Sequence, residues 1–258
     1  MSERSLSKGF PEPEQLVRLP SGRMGAGRAD GGHDEKEFAV GLGQLSDRVF
    51  EAVLFDMDGT LIDSTPAVIR AWTTWMQEFG LTPEQLGRHH GMPSAQVVRH
   101  LLAEDRHVEA IRRIDELELA DVHDIVVLPG AAEALEALRG AKNAIATSCT
   151  VPLAQARIAA AELQPPSVLV TVDDVARGKP APDPFLEAAR RLGADPTRCL
   201  VVEDAPKGLE AAHAAGCATL AVVTTTARED LDADAVVGDL SEVEFVPGED
   251  GIRVRLRG

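Results

Sequence analysis

The sequence predicts an α/β protein: a parallel sheet with helices on both faces, and a small all-helical domain inserted after the first strand. The apolar run from Ala52 to Phe55 has the length of a buried strand and stops abruptly at two aspartates. A helical pattern then continues to about residue 124 without a strand-like run. From Pro129 onward, helix-like and strand-like segments alternate, as is typical of a parallel sheet covered by helices. These three observations together predict the fold class.

Residues 1–48 differ in composition from the remainder of the 258-residue chain. They are rich in Gly, Ser, Glu and Arg, show no sustained apolar periodicity and lack the apolar centre of a secretory signal. We therefore expect this segment to be a largely disordered tail, with a short helix near residues 35–45. The folded part is expected to consist of a sheet core, residues 49–64 and 129–258, and a helical insertion, residues 65–128.

The first helix of the helical insertion has recognisable end signals. Residues 63–66, Asp-Ser-Thr-Pro, offer capping side chains and a proline for a first turn. Apolar residues then recur at helical spacing until Gly80, where the helix is expected to end. Gly91 and Pro93 are further breaks. Two more helices are expected beyond them, at residues 95–102 and 109–119.

The elements of the sheet core follow from the same patterns. The helices are expected at residues 131–139, 152–163, 184–192 and 206–215. The strands are expected at residues 144–147, 168–171, 199–202, 219–223 and 236–237. A final hairpin of residues 243–246 and 252–256, joined across Pro-Gly-Glu-Asp-Gly, is expected to complete the edge of the sheet.

Charge and cysteine content limit the classes of partner. A net charge of −16 argues against nucleic acid or an anionic membrane surface, since both bind basic patches. No apolar run approaches the length of a membrane span. The three cysteines form no paired framework and suit a reducing compartment. We therefore expect a cytoplasmic protein that acts on a small molecule; the sequence does not indicate its oligomeric state.

Polar side chains follow four of the predicted strands, at the point where each strand ends or in the loop after it. Because the carboxyl ends of parallel strands meet at one edge of a sheet, these groups are expected to surround one small volume. In chain order they are Asp56 and Asp58, Thr147 and Ser148, Lys179, and the pair Glu203 and Asp204.

This set has the parts needed for phosphoryl transfer through an aspartyl-phosphate. Asp56 can attack phosphorus while a divalent cation and Lys179 neutralise the transferring oxygens. Mg²⁺ prefers carboxylate and carbonyl oxygens, so Asp56, the Asp58 backbone carbonyl and Asp204 are candidate ligands. Asp58 can protonate the leaving oxygen and later deprotonate water. Thr147 can hold phosphate oxygens.

Four segments carry these residues and resemble the four motifs of the haloacid dehalogenase superfamily, in the same order. They are Phe55-Asp56-Met57-Asp58-Gly59-Thr60-Leu61, Ala146-Thr147-Ser148, Gly178-Lys179-Pro180-Ala181-Pro182 and Val202-Glu203-Asp204-Ala205-Pro206. The resemblance spans about residues 49–240, and the helical insertion corresponds to the small cap domain of that superfamily.

The resemblance implies a Rossmann-like core and a set of residue roles. Asp56 would be the nucleophile and Asp58 the acid/base. The phosphate-binding residues would be Thr147, Ser148 and Lys179. The Mg²⁺ site would involve Asp56, Asp58 and Asp204, helped by Glu203.

Three stretches, including residues 61–68, are similar to phosphatases of sugar, deoxyhexose or glycerol phosphates. In those enzymes a His-Gly in the cap is often followed closely by a basic residue, whereas His90-Gly91 here is followed by Met92-Pro93. Because that loop touches substrate in the family, His90 is a candidate substrate-binding residue. Arg88 and Arg99 are alternatives for this role.

Three hypotheses follow. The first is a Mg²⁺-dependent phosphatase that hydrolyses a small phosphorylated metabolite, a sugar or polyol phosphate. The second is a phosphosugar mutase similar to β-phosphoglucomutase, which would return the phosphate to a sugar instead of passing it to water. The third is a non-enzymatic binding or regulatory module that has kept the fold.

Overall fold

The computed structural model describes residues 42–86 and 91–257 of the chain. Most of the predicted tail lies outside the described residues, but its last part does not. Gly43–Asp47 form a short 3-10 helix, and Leu42 and Leu45 are buried in the apolar core of the sheet. The tail was therefore predicted too long at its C-terminal end, because these two leucines remove apolar surface from water by packing on the core.

Ten β-strands lie within the described residues. In chain order they are β1 (Ala52–Phe55), β2 (Ile62–Asp63), β3 (Val126–Val127), β4 (Asn143–Ala146), β5 (Val168–Val170), β6 (Cys199–Glu203), β7 (Ala218–Val222), β8 (Ala235–Val237), β9 (Val243–Gly248) and β10 (Gly251–Leu256).

Eight α-helices lie in the same part of the chain. They are α1 (Thr65–Phe79), α2 (Pro83–Leu86), α3 (Ser94–Leu101), α4 (His107–Ala120), α5 (Ala131–Ala137), α6 (Val151–Ala160), α7 (Asp183–Leu192) and α8 (Pro206–Ala214). None of them is long and apolar enough to cross a membrane.

Six parallel strands form the central sheet in the order β5-β4-β1-β6-β7-β8. The chain runs outward from β1 through β4 to β5, then returns to the other side of β1 and continues through β6, β7 and β8. The strand order therefore reverses beside β1, and ligands bind at such switch points in open α/β sheets. The predicted parallel α/β sheet is confirmed.

Both faces of the sheet are covered, and β1 shows why its residues are all apolar. Val53 and Phe55 belong to one apolar cluster, while Ala52 and Leu54 belong to another. Successive side chains of a strand point to opposite faces, so these two sets mark the two faces of the sheet. A strand buried on both faces reads as a continuous apolar run, which is how it was recognised in the sequence.

The C-terminal hairpin was predicted at the edge of the central sheet, and this prediction is wrong. Strands β9 and β10 pair with each other in a separate two-stranded antiparallel sheet, and the edge strands of the central sheet are β5 and β8. Ile252 of β10 also forms an isolated antiparallel bridge with Phe50, just before β1. The ring of Phe245 lies edge-on to that of Phe55, with centroids 5.7 Å apart. The alternating apolar residues of the hairpin are thus buried in the cluster on one face of the sheet.

The helical insertion has its own apolar cluster. Its buried residues come from α1, α3 and α4 and include Trp72, Trp75 and Ile114. Helix α1 ends at Gly80, which has a φ of 72°, as predicted from the sequence. Strands β2 and β3, which flank the insertion, pair with each other in antiparallel fashion. These two strands were not predicted, because two residues are too few to show a period.

Candidate active site

Asp56 lies directly beyond the end of β1, at the switch point of the sheet. Its backbone N–H donates to the carbonyl of Val202 at 2.9 Å and so continues the ladder between β1 and β6. The residue is 7% exposed. Asp56 is therefore held by the rigid centre of the fold while its carboxylate faces the crevice at the carboxyl ends of the strands.

Lys179 reaches the same place from the loop that follows β5. Its ammonium group donates to Oδ1 of Asp56 and, at 2.7 Å, to Oε1 of Glu203. The other carboxylate oxygen of Glu203 accepts hydrogen bonds from the backbone N–H groups of Asp204 and Ala205, both at 2.9 Å. Both oxygens of Glu203 are thus engaged, and this carboxylate fixes the lysine relative to the loop after β6.

Burial controls the ionisation of this cluster. Loss of hydration raises the pKa of Asp56 to about 8, although Lys179 acts in the opposite direction. Burial also raises the pKa of Asp204 well above its ordinary value, and the neighbouring Glu203 and Asp56 add to that effect. Burial alone would lower the pKa of Lys179, but its two carboxylate partners hold it above the usual value. Lys179 is therefore charged at neutral pH.

The charge balance fits a cation. Oxygens of Asp56, Glu203 and Asp204 all lie within 4.8 Å of one another, and all three residues are buried. Lys179 supplies a single positive charge against three carboxylates. A divalent cation would neutralise the remainder, and buried charges are stable when they are paired or bind metal. A set of oxygen donors suits Mg²⁺ better than zinc or copper.

Two glycines allow the carboxylates to approach the backbone. Gly59 has a φ of +86°, and a Cβ there would lie 2.2 Å from Oδ2 of Asp204. A Cβ on Gly208, in α8, would lie 1.6 Å from Oε1 of Glu203. Side chains at these positions would collide with the acidic cluster. The contact at Gly208 was not predicted from the sequence.

Asp58 points to a different set of partners. Its Oδ1 accepts hydrogen bonds from the hydroxyl of Ser64 at 2.6 Å and from the Arg157 guanidinium at 2.9 Å. Its Oδ2 accepts one from the thiol of Cys149 at 3.1 Å. The second terminal nitrogen of Arg157 donates to Glu118 of α4 at 3.1 Å. Both oxygens of Asp58 are thus engaged by residues that do not belong to the Lys179 cluster.

Arg157 and Glu118 were missed in the sequence, although each carried a signal. The buried residues of α6 are Leu153, Ala154, Arg157 and Ile158, so the arginine lies on the core-facing side of an apolar helix. Glu118 follows Ala110 and Ile114 at intervals of four on the buried side of α4. Charged residues are seldom buried unless they are paired, and these two are paired with each other.

The remaining predicted residues lie at the same edge of the sheet. Thr147 is buried, and its hydroxyl oxygen accepts a hydrogen bond from the N–H of Cys149 at 3.1 Å. The hydroxyl of Ser148 donates to the carbonyl of Gly91, in the helical insertion, at 3.0 Å. His90 and Arg88 lie outside the described residues, and Arg99 is exposed on α3. The structure thus brings Asp56, Lys179, Glu203 and Asp204 into direct contact, with the other described site residues around them.

The fold and this group of residues define a class: a Rossmann-like enzyme whose carboxylates and lysine converge at the switch point. A family model described as haloacid dehalogenase-like hydrolase matches residues 50–216. The chain therefore belongs to the haloacid dehalogenase-like hydrolases, and the prediction of this family is confirmed.

Curated relatives are phosphatases of small molecules. The chain is 41% identical over 199 residues to hexitol phosphatase A of Escherichia coli, covering 75% of this chain and 88% of that protein. It is 32% identical over 191 residues to glycerol-1-phosphate phosphohydrolase 2 of Saccharomyces cerevisiae, covering 67% and 75%. These similarities confirm the predicted enzyme class, a phosphoric monoester hydrolase.

A solved structure of a hydrolase from Pseudomonas syringae has a similar fold. Its TM-score against this chain is 0.69 at 28% sequence identity, covering 74% of this chain and 94% of that chain. The predicted fold class is thereby confirmed a second time.

Proposed function

We propose that this protein is a Mg²⁺-dependent phosphatase that hydrolyses a small sugar or polyol phosphate through a phosphorylated Asp56. The observation that carries the proposal is the contact of buried Lys179 with both Asp56 and Glu203, beside Asp204. This arrangement combines a carboxylate nucleophile, a fixed cation and a set of oxygen donors in one crevice. The names of the curated relatives support a sugar or polyol phosphate as substrate.

In the first step, a carboxylate oxygen of Asp56 attacks phosphorus and the bond between phosphorus and the leaving oxygen breaks. Asp58 gives its proton to that oxygen, so the product leaves as a neutral alcohol. Lys179 and the hydroxyl of Thr147 bind the equatorial phosphate oxygens, on which negative charge is spread in the transition state.

In the second step, the Asp58 carboxylate takes a proton from water and the resulting nucleophile attacks phosphorus. The bond between phosphorus and the Asp56 oxygen breaks, which releases inorganic phosphate and restores the Asp56 carboxylate. Asp58 is again protonated and ready for the next substrate. The cycle therefore needs no co-substrate other than water.

The proposed metal ligands are Asp56, Asp204 and the backbone carbonyl of Asp58. Glu203 contributes to the same acidic cluster, and its engaged oxygens favour a role in positioning Lys179. Bound Mg²⁺ would neutralise phosphate oxygens and keep Asp56 ionised, because a nearby positive charge favours the carboxylate.

The helical insertion is proposed to act as the cap of the site. Ser148 already contacts Gly91, and Gly178 lies against Pro93. A closed cap would exclude bulk water, which would otherwise hydrate the carboxylate nucleophile and weaken the electrostatic contacts of the site. His90, which lies outside the described residues, is proposed to contact the leaving group. A cytoplasmic location completes the proposal.

The test is release of inorganic phosphate from a panel of hexitol, hexose and glycerol phosphates with Mg²⁺. Activity on one or two of these esters, lost in EDTA and in Asp56→Asn, is expected. The asparagine has nearly the same shape as the carboxyl group, so this variant is expected to fold. Retained turnover in folded Asp56→Asn would sink the mechanism. Isomerised sugar phosphate without free phosphate would favour the mutase, and no turnover of any ester would favour a binding module.

A further inference from the structure

We infer that Arg157 is a positioning residue for Asp58, and that Glu118 makes its position depend on the docked helical insertion. The inference rests on the proposed function, because Asp58 is the group that exchanges protons in that reaction. Arg157 lies in α6 of the sheet core and Glu118 in α4 of the insertion. One arginine thus joins the acid/base to the element that covers the site.

The contacts of Asp58 assign different tasks to its two oxygens. Oδ1 receives two strong donors, the charged guanidinium of Arg157 and the hydroxyl of Ser64. Among the described residues, Oδ2 receives only the thiol of Cys149, and thiols are weak donors. Oδ1 is thereby fixed, and Oδ2 is the oxygen left to carry the exchangeable proton. Arg157 also donates to the sulfur of Cys149 at 3.3 Å, so it orders both sides of this carboxylate.

Glu118 orders Arg157 in turn. Its Oε1 accepts from the arginine, and its Oε2 accepts from the hydroxyl of Ser94 at 3.2 Å. Both Glu118 and Ser94 belong to the helical insertion. If the insertion moves away from the core, Arg157 therefore loses one of its two carboxylate partners. The position of Asp58 is in this way coupled to closure of the site.

The energetics of the pair point to a task beyond stability. Arg157 is 4% exposed and Glu118 is 5% exposed, so both charges have lost their hydration. Such buried ion pairs are often no more stable than apolar residues of similar volume. In addition, the buried Nε of Arg157 has no hydrogen-bond partner among the described residues, which is costly. A purely structural position would be better filled by an apolar side chain, like its neighbour Ile158.

The test compares two esters that differ in the basicity of the leaving oxygen but little in size, phenyl phosphate and p-nitrophenyl phosphate. Phenoxide is the more basic leaving group and depends more strongly on protonation. The measured quantity is the ratio of kcat/KM for p-nitrophenyl phosphate to kcat/KM for phenyl phosphate, with saturating Mg²⁺. This ratio reports the steps through formation of the aspartyl-phosphate, where Asp58 donates its proton.

Arg157→Met is expected to raise that ratio about tenfold, since general acid catalysis contributes roughly 10²–10⁴-fold and a misplaced acid loses part of it. Arg157→Lys, which keeps the charge, is expected to recover part of the loss. Glu118→Gln is expected to raise the ratio about threefold through weaker fixation of Arg157. The matched control is Arg70→Met, because Arg70 also binds two carboxylates, Asp121 and Asp124, but does not contact the site. Its ratio is expected to equal that of the unchanged enzyme.

A variant with both Arg157→Met and Glu118→Met separates positioning from folding. Because both members of the ion pair are replaced, neither leaves the other buried and unpaired, and the variant is expected to fold. Its ratio of kcat/KM values is expected to stay raised, because Arg157 is absent. Equal loss of kcat/KM on both esters in the Arg157 variants would overturn the positioning role. An unchanged ratio in Glu118→Gln would overturn the coupling to the insertion. If the unchanged enzyme releases phosphate neither from these esters nor from the sugar and polyol phosphates, the phosphatase proposal itself fails, which is a different result from an active enzyme with an insensitive ratio.

Discussion

The carboxylate of Glu203 occupies the space beside Gly208, where a Cβ would lie 1.6 Å from Oε1. That carboxylate also accepts hydrogen bonds from Lys179 and from two backbone N–H groups. It cannot move aside without losing them. Gly208 is therefore required by the site next to it, and not by the helix that contains it.

Replacing Gly208 by alanine is expected to displace Glu203 and to free Lys179 from one of its two partners. Overpacking of this kind costs about 1–3 kcal/mol in free energy of unfolding, and kcat is expected to fall about 100-fold or more. Denaturant unfolding and steady-state kinetics measure the two effects. Gly248→Ala is the control, because the nearest atom there is at 3.4 Å. Equal behaviour of the two variants would contradict the prediction.

The metal-free protein is expected to become less stable as the pH rises from about 5 to 8. The pKa of Asp56 is raised from its ordinary 3.8 to about 8 in the folded state. In this window the folded protein binds a proton that the unfolded chain does not, so the free energy of unfolding falls with pH. Melting curves in EDTA at several pH values measure this effect.

Mg²⁺ should stabilise the protein most at the upper end of that window, because it binds the ionised form. Asp56→Asn in EDTA should show a flatter dependence of Tm on pH than the unchanged protein. A Tm in EDTA that rises with pH over this window would show that Asp56 does not carry the predicted proton.

The three cysteines are expected to be unreactive toward thiol reagents in the folded protein. Burial raises the pKa of Cys199 and of Cys217 to about 12, and it also raises that of Cys149. At pH 8 a pKa of 12 leaves roughly one thiol in ten thousand ionised, and the thiolate is the reactive form. Titration with an aromatic disulfide should detect no fast thiol before denaturation and three after it. Rapid loss of one thiol from native protein would disprove the prediction.

Gly178→Ala is expected to hold the helical insertion away from the core. A Cβ on Gly178 would lie 2.5 Å from Cγ of Pro93. The expected result is a KM for phosphate ester raised several-fold, since a site that closes poorly binds substrate weakly. Adding Pro93→Ala removes the colliding atom and should restore part of the affinity, as a double-mutant cycle would show. If the second change brings no recovery, the effect of Gly178→Ala does not arise from this contact.

The convergence of Asp56, Lys179, Glu203 and Asp204 could be predicted because it follows from topology alone. Parallel strands end at one edge, so polar residues at successive strand ends must meet there. The link between Arg157 and Glu118 could not be predicted in the same way. The two residues are 39 positions apart, and their contact depends on how α4 and α6 pack against each other. A sequence period indicates which side of a helix is buried, but not which residues that side contacts.

The errors at the two ends of the chain have a common physical origin. The hairpin of β9 and β10 was predicted correctly as a hairpin. A strand with alternating apolar residues can either extend the edge of a sheet or pack on its face, and here Phe245 packs on the face, against Phe55. Likewise, Leu42 and Leu45 lie in a segment without a sustained period, yet each is buried. The position of the hairpin and the burial of the two leucines both depend on which apolar surface of the sheet the helices leave uncovered. That surface exists only in the assembled fold.

The pairing of β2 with β3 has a consequence for how such enzymes diversify. Ile62 lies opposite Val127, and Asp63 lies opposite Val126, so the chain leaves the sheet core and returns to it at one place. A segment with adjacent ends and its own apolar cluster can be replaced by another of different length without altering the register of the central sheet. The part proposed to recognise the leaving group is in this sense a module. Preference for a new alcohol can arise by exchange of that module, while the chemistry at phosphorus is inherited intact.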